Sequence, residues 1–325
     1  MKAAGGLLSA IGRTPLVPLA NLFADAPFRV FAKLEMMNPG GSAKDRAALG
    51  MIRDAIDNGR IGPGTTVVES SSGNLAISLA LVCGYYGLRF ICVVDPRTTA
   101  AHLQALRGLG AVVETVDRPD PETGEYLPAR IRRIRELQAE IADCCWPNQY
   151  ANPANYLAHY NSTMPEILRE LDRIDFLFCG VSTFGTLRGC AERLRAEGRA
   201  ARIVAVDAAG SAIFGAGAAG ARRLPGLGAA IVPPLARREL ADRVVRVTDR
   251  DCVAGCRELL RTEAILAGAS SGGVVSAIRR MRADIPADAT CVAILPDRGD
   301  RYWDTVYDDE WVASLPEAAA KEQAE

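Results

Sequence analysis

Lys44 is the side chain with the clearest capacity for covalent chemistry in this sequence. It follows a Pro-Gly-Gly stretch, and Ser42 and Asp45 have the spacing of a capping box, which predicts a helix with Lys44 in its first turn. The positive end of a helix dipole disfavours an ammonium by some tenths of a kcal/mol up to about 1 kcal/mol. The same field favours the neutral amine that attack on an aldehyde requires. By itself, the segment also fits an exposed surface lysine.

Three further segments combine hydroxyl groups and glycines near the starts of predicted helices. They are Glu69-Ser70-Ser71-Ser72-Gly73-Asn74-Leu75, Gly180-Val181-Ser182-Thr183-Phe184-Gly185-Thr186 and Gly268-Ala269-Ser270-Ser271-Gly272-Gly273. Free amides at a helix N-terminus bind carboxylate or phosphate. Asn74 adds a donor suited to a phenolic or carbonyl oxygen. Taken singly, each segment is equally compatible with an ordinary helix cap.

An alternating framework of strands and helices must position these segments. Apolar strands are predicted at residues 30–34, 66–69, 89–94, 111–116, 175–179, 202–207, 244–247 and 290–295. Helices are predicted at residues 44–58, 74–86, 100–109, 128–142, 154–171, 186–197, 249–261 and 272–283. Continuous apolar strands separated by helices predict parallel sheets covered on both faces, which is an α/β fold.

Composition narrows the classes of protein that the chain can be. With 325 residues, two domains are expected at roughly 100–200 residues each. The net charge of −1 gives no broad basic field for nucleic acid or a membrane surface, and no apolar run approaches the roughly 18 residues of a span. Nine cysteines and two histidines stand in no metal-ligand spacing. These features predict a cytoplasmic protein with reduced thiols and without a metal.

Taken in order, the four segments and Gln149 resemble the fold-type II pyridoxal 5′-phosphate (PLP) enzymes of the cysteine synthase and cystathionine β-synthase family. The resemblance begins at Ile-Gly-Arg-Thr-Pro-Leu (11–16), ends at Pro-Asp-Arg-Gly-Asp-Arg-Tyr (296–302) and so covers nearly the whole chain. It implies two domains with mainly parallel sheets, of the kind found in the tryptophan synthase β chain, and PLP as cofactor.

The resemblance also implies a role for each segment. Lys44 matches the lysine that holds PLP covalently, Asn74 matches the residue bonded to the ring hydroxyl, and Ser270 matches the partner of the ring nitrogen. The loop around the cofactor phosphate corresponds to Ser182, Thr183, Phe184, Gly185 and Thr186. The site for the substrate carboxylate corresponds to Ser71, Ser72, Gly73 and Gln149.

Departures from cysteine synthase narrow the expected substrates. Those enzymes usually have Thr where this chain has Leu75, and Gly-Thr-Gly-Gly-Thr where this chain has Ser-Thr-Phe-Gly-Thr. The variants resemble a branch that joins O-phospho-L-serine and L-glutamate with release of phosphate, which supplies 2,3-diaminopropionate for siderophores of the staphyloferrin B type. Arg130, Tyr150 and Ser182 are the candidate donors to the substrate phosphate. Phe184 departs even from this branch, which leaves the local backbone of the phosphate loop open.

The family resemblance also implies a domain organisation. Residues 1–42 and 151–315 are expected to form a large cofactor-binding domain, 43–150 a smaller mobile domain, and 316–325 a tail. The family implies a cytoplasmic homodimer that binds small amino-acid substrates.

Three other functions are compatible with parts of the sequence. The main alternative is cysteine synthesis from O-phosphoserine or O-acetylserine with sulfide. A partner-binding protein without catalysis is disfavoured by the presence of Lys44. A nucleotide-dependent oxidoreductase has support only from the glycine-rich stretch 215–220, which lacks the strand and helix that pyrophosphate binding needs.

Overall fold

The computed structural model describes residues 5–215 and 222–316, so most of the glycine-rich stretch and of the predicted tail lie outside the described residues. The strands are β1 (Leu16–Pro18), β2 (Arg29–Leu34), β3 (Thr66–Ser70), β4 (Arg89–Val94), β5 (Val112–Thr115), β6 (Cys144–Cys145), β7 (Phe176–Gly180), β8 (Arg202–Ala208), β9 (Arg243–Val247) and β10 (Thr290–Leu295). The α-helices are α1 (Lys44–Asp57), α2 (Asn74–Tyr86), α3 (Ala100–Gly108), α4 (Tyr126–Glu140), α5 (Pro153–Ala158), α6 (Met164–Glu170), α7 (Gly185–Ala196), α8 (Asp249–Glu263), α9 (Ala269–Arg280) and α10 (Asp309–Ala313). A π-helical turn (His159–Thr163) joins α5 to α6, and 3₁₀ turns span Gly6–Ala10, Glu35–Met37, Arg238–Leu240, Arg282–Asp284 and Gly299–Arg301.

The strands form two sheets. A six-stranded sheet has the order β1-β2-β10-β7-β8-β9, and a four-stranded sheet has the order β5-β4-β3-β6. All pairs are parallel except β1 with β2. Helices cover the sheets, and strands β3, β8 and β10 are buried along almost their whole length, as expected where both faces of a parallel sheet are covered. The α/β fold class predicted from the sequence is confirmed.

Each sheet contains one point where the strand order reverses. In the small sheet the chain runs outward from β3 to β5 and then returns to β6, on the other side of β3. In the large sheet it runs from β7 to β9 and returns to β10, on the other side of β7. Ligands of open α/β sheets bind beyond the carboxyl ends of the strands at such switch points. The loops after β3, β6, β7 and β10 are therefore the places to look for a site.

All eight predicted strands are present, with ends that differ by one residue at most. Strands β1 and β6 were not predicted, because three and two residues are too few to show a periodic pattern. The predicted helix 154–171 is divided into α5, the π turn and α6. The predicted capping box at Ser42 and Asp45 is wrong: the Asp45 carboxylate accepts from the Gly40 amide at 2.5 Å instead.

Residues 5–215 and 222–316 contain neither a candidate membrane span nor a candidate metal site. No described helix has both the length and the apolar character needed to cross a membrane. The same ranges hold no cluster of His, Cys, Asp and Glu side chains suited to a metal ion.

A buried ionic cluster anchors helix α1. Arg46 donates to Glu35 at 2.7 Å and to Glu166 at 2.6 Å, and the Lys33 ammonium lies 2.8 Å from the other oxygen of Glu166. Burial opposes ionisation of Glu166, yet hydrogen bonds from Arg46 lower its pKa to about 2. Two cations and two anions balance, which is the condition for holding charges in the interior. The cluster ties β2 and α6 to the helix whose first residue is Lys44.

Glu35→Gln is expected to destabilise the protein, because Arg46 would lose a buried anionic partner. Breaking a buried pair costs about 3–5 kcal/mol. Asp54→Asn, which breaks the exposed pair of Asp54 with Arg60, should cost under about 1 kcal/mol. Urea unfolding followed by circular dichroism measures both. Equal midpoints for the two variants would show that the cluster does not anchor α1.

Candidate active site

The Lys44 side chain occupies the first position of α1 and is half-buried. Burial lowers the pKa of its ammonium, and this outweighs the opposing effects of Asp297 and Cys179. Its Nζ atom has no hydrogen-bond or ion-pair partner among the residues that the structure describes, unlike the paired amine of Lys33. An amine that is desolvated and not held by a carboxylate is suited to act as a nucleophile or a base.

A buried carboxylate, Asp297, links the Lys44 region to the loop after β3. Its Oδ2 atom accepts from the Asn74 side-chain amide at 2.8 Å and from the Tyr302 hydroxyl at 2.8 Å. Arg301 donates to the side-chain amide oxygen of Asn74 (Oδ1). Because Asp297 accepts from the side-chain nitrogen of Asn74 and Arg301 donates to its side-chain oxygen, these two contacts fix the orientation of the Asn74 side-chain amide.

The backbone after β10 holds the starts of two helices together. The Ala43 amide donates to the Pro296 carbonyl at 2.8 Å, and the Gly268 amide donates to the Asp297 carbonyl at 2.8 Å. These contacts place the first turn of α9, which contains buried Ser270, beside the first turn of α1. The Ser270 hydroxyl takes part in no hydrogen bond within the described part of the chain, so it is available to a ligand.

The loop after β7 leads directly into α7 and exposes the free amides of that helix. The Asn155 side chain donates to the Thr183 hydroxyl at 3.3 Å and to the Gln149 carbonyl at 2.7 Å. Gly185 has no room for a side chain, because a Cβ atom would overlap the Asn155 amide. Such an N-terminus, flanked by hydroxyls, is suited to a phosphate dianion.

His159, in the π turn, contacts the same loop through a hydrogen bond to Thr186. Its Nε2 atom lies 3.2 Å from the Thr186 hydroxyl, and its Nδ1 atom lies 2.8 Å from the Thr163 hydroxyl. Burial lowers the pKa of His159 to about 3, so the ring is neutral near pH 7. The residue therefore contributes hydrogen bonds and not a positive charge.

The backbone conformation of the loop between β7 and α7 is defined at Phe184. It adopts a left-handed backbone with φ 71°, the conformation that favours glycine, and its ring is buried against Phe214 at 5.8 Å between centroids. The left-handed conformation costs roughly 1–2 kcal/mol, and full burial of a Phe side chain contributes about 1.5–3 kcal/mol. The backbone shape that glycine would allow is thus retained.

Glu69 connects the loop after β3 to the segment after β6. It accepts from the Ser70 amide at 2.8 Å, the Trp146 indole at 2.9 Å and the Gln149 amide at 3.2 Å. Gln149 also donates from its side chain to the Ser70 carbonyl at 3.4 Å. Burial raises the pKa of Glu69 to about 7, although these donors oppose the shift. Gln149 is thereby held against the loop that contains Ser71 and Ser72.

Arg130 lies on the buried face of α4, where its Nε atom is 3.5 Å from Asp95. Its Nε and Nη1 atoms are buried and find no hydrogen-bond acceptor among the described residues. The charge of Arg130 lowers the pKa of Tyr150, although burial raises that pKa more strongly. Within the described part of the chain, Arg130 therefore has donors left over for an anion.

Some of the predicted residues follow switch-point strands: residues 71–74 follow β3, Gln149 and Tyr150 follow β6, and residues 182–186 follow β7. Lys44, Arg130 and Ser270 instead lie in helices α1, α4 and α9. The Asp297 side chain binds the Asn74 amide, and its backbone pairs with Ser42, two residues before Lys44. Sequence reasoning missed Asp297, Glu69, Asn155, His159 and Arg301 as members of the site. A charged residue at the end of an otherwise apolar strand was the available signal for two of them, Glu69 and Asp297.

Comparison with known proteins gives the same family. Residues 7–297 match the family model described as pyridoxal-phosphate dependent enzyme. A relative in Ralstonia nicotianae named N-(2-amino-2-carboxyethyl)-L-glutamate synthase is 50% identical over 318 residues, 98% of this chain and 94% of its own. A protein of the same name in Cupriavidus metallidurans is 48% identical over 313 residues, 95% of this chain and 91% of its own.

Solved structures share the architecture. An O-acetylserine-dependent cystathionine β-synthase from Helicobacter pylori superposes with a TM-score of 0.86 at 32% identity, covering 94% of this chain and 99% of the other. O-ureido-L-serine synthase gives a TM-score of 0.86 at 32% identity, covering 96% and 100%. This chain therefore belongs to the family of pyridoxal-phosphate-dependent enzymes.

Proposed function

We propose that the protein joins O-phospho-L-serine and L-glutamate to give N-(2-amino-2-carboxyethyl)-L-glutamate and phosphate. The observation that carries this proposal is the desolvated, unpaired amine of Lys44 at the meeting point of the loops described above. The identity of 50% with a synthase of that name supports the choice of substrates. The product would serve as a precursor of 2,3-diaminopropionate in siderophore biosynthesis.

The described residues fit the cofactor. Lys44 would hold it through its amine, and neither this amine nor the Ser270 hydroxyl has a partner within residues 5–215 and 222–316. The helix start at residues 182–186 offers amides and hydroxyls for its phosphate. The Asn74 amide has one N–H on Asp297 and a second N–H left for the ring hydroxyl. When bound, PLP acts as an electron sink that lets a proton leave the substrate α-carbon and a substituent leave the β-carbon.

The protein's own groups would then transfer the proton of the substrate α-carbon and bind the substrate carboxylate and phosphate. Lys44 Nζ takes the proton from the α-carbon of O-phosphoserine and later returns it to the same carbon. The Cβ–O bond to phosphate breaks, the glutamate nitrogen forms a bond to Cβ, and that nitrogen gives up a proton. Ser71, Ser72 and Gln149 bind the substrate carboxylate. The neutral Ser270 hydroxyl does not hold the ring nitrogen protonated, which favours β-elimination over transamination.

The phosphate of O-phosphoserine is assigned to Arg130, Tyr150 and Ser182. Arg130 has two buried nitrogen atoms without an acceptor, and a guanidinium binds phosphate through paired hydrogen bonds. Tyr150 and Ser182 are proposed to add two hydroxyl donors. A buried cation with donors left over selects a dianion over the neutral acetyl group of O-acetylserine.

Organisation and location complete the proposal. The large domain would comprise residues 1–42 and 151–315, and the mobile domain residues 43–150, which include all four strands of the small sheet. The protein is proposed to act in the cytoplasm as a homodimer, as the family resemblance implies.

Purified protein loaded with PLP is expected to release phosphate from O-phosphoserine continuously when L-glutamate is supplied. A phosphate-release assay coupled to mass spectrometry of the product measures this. Sulfide in place of glutamate serves as the comparison, and O-acetylserine in place of O-phosphoserine tests the leaving group. Sustained turnover with sulfide, and none with glutamate, would instead support cysteine synthesis.

Arg130→Gln is expected to lower kcat/KM for O-phosphoserine roughly 10- to 100-fold, because hydrogen bonds to charged groups contribute about 1.5–3 kcal/mol. Arg132→Gln is the matched control, since Arg132 lies on the exposed face of the same helix and pairs with Asp120. Tyr150→Phe should also lower this ratio. Steady-state kinetics measures all three variants, and similar values for the two arginine variants would remove Arg130 from the phosphate site.

A further inference from the structure

Asp297 stands at the centre of the site, yet the proposed reaction assigns it no role. It is the second residue after β10, so it lies at the switch point of the large sheet. Its side chain is almost fully buried, with 2% exposed. A carboxylate in the interior is costly unless paired. The backbone of Asp297 pairs with Ser42, two residues before Lys44, so its charge lies near the first turn of α1.

Three elements of the site converge on this residue. The backbone of Asp297 pairs with Ser42, next to the lysine loop, and accepts from the Gly268 amide ahead of α9. Its side chain holds Asn74 at the start of α2. Gly268 cannot carry a side chain here, because a Cβ atom would overlap the Asp297 carboxylate. The carboxylate therefore has one fixed place relative to the first turns of three helices.

The two carboxylate oxygens differ in their surroundings. Oδ2 accepts from both Asn74 and Tyr302 at 2.8 Å. Oδ1 is buried and has no hydrogen-bond partner among residues 5–215 and 222–316. Both direct partners are donors, as suits an ionised acceptor. The titratable and charged groups facing Asp297 are Lys44 on α1, Cys256 on α8, Arg301 and Tyr302 in its own segment, and Tyr307.

We infer that Asp297 is a positioning residue that sets the proton affinity of the Lys44 nitrogen when this nitrogen is bonded to the cofactor. It would act through a negative charge held near the first turn of α1, since its backbone pairs with Ser42. It would also act through the Asn74 amide, which it holds by one N–H so that the other stays free for a ring hydroxyl. A negative charge stabilises the protonated form of a nearby nitrogen. The inference rests on the proposed function, because it requires PLP to be bound to Lys44.

Asp297→Asn keeps the size and shape of the side chain and removes its charge. The cofactor absorption band in the visible should then titrate with pH at a midpoint lower than in the unsubstituted protein by at least about one unit, the lower end of the shift caused by a close opposite charge. Tyr302→Phe is the matched control: it removes one hydrogen bond to the same oxygen and leaves the charge. Its midpoint should stay close to that of the unsubstituted protein.

The measurement is a pH titration of absorbance for the three PLP-loaded proteins, with circular dichroism to establish that each is folded. If Asp297→Asn does not fold, Asp297→Ser removes the same charge and retains an acceptor for Asn74. A folded, coloured Asp297 variant with an unchanged midpoint, or one that shifts no more than Tyr302→Phe, overturns this inference alone. Absence of a visible band in the unsubstituted protein would overturn the proposed function as well.

Discussion

The environment of one amine determines how the rest of this structure is arranged. Lys44 sits where burial disfavours its charged form, and the groups that surround it come from the carboxyl ends of two parallel sheets. Neither sheet alone contains the site. The loops after β3 and β6 supply Asn74 and Gln149, the loop after β7 supplies the segment proposed to bind the cofactor phosphate, and the loop after β10 supplies Asp297. The site thus forms where the reversal of strand order opens a crevice in each sheet.

Charge is handled differently in the two buried regions next to Lys44. Behind α1, Lys33, Glu35, Arg46 and Glu166 form a neutral cluster that holds the helix in place. Elsewhere, some buried polar atoms have no hydrogen-bond partner among residues 5–215 and 222–316, among them the Asp297 Oδ1 and Arg130 Nη1 atoms. Satisfied groups stabilise a fold, whereas unsatisfied ones mark the surfaces that a ligand completes. This contrast separates the framework from the reacting cavity.

Much of this arrangement could be predicted from the sequence, because it follows from local patterns. Apolar runs and helix starts located eight strands and the loops that contain Lys44, Asn74 and Thr186. Strand β6, the π turn and the side-chain partners of Asp45 could not be predicted, since they depend on contacts between distant segments. Glu69 and Asp297 were predictable only in part: a charged residue at or just beyond an apolar strand marks them, but their importance follows from the order of the strands in each sheet, which sequence periodicity does not reveal.

The central claim is that the Lys44 nitrogen, and no other, bonds to the cofactor. Borohydride reduction of the PLP-loaded protein, followed by proteolysis and mass spectrometry, tests it directly. The account predicts the mass of the reduced cofactor on the peptide that contains Lys44, with Lys33 unmodified in its ionic cluster. Label on Lys33, or folded protein in which no lysine is labelled, would contradict it.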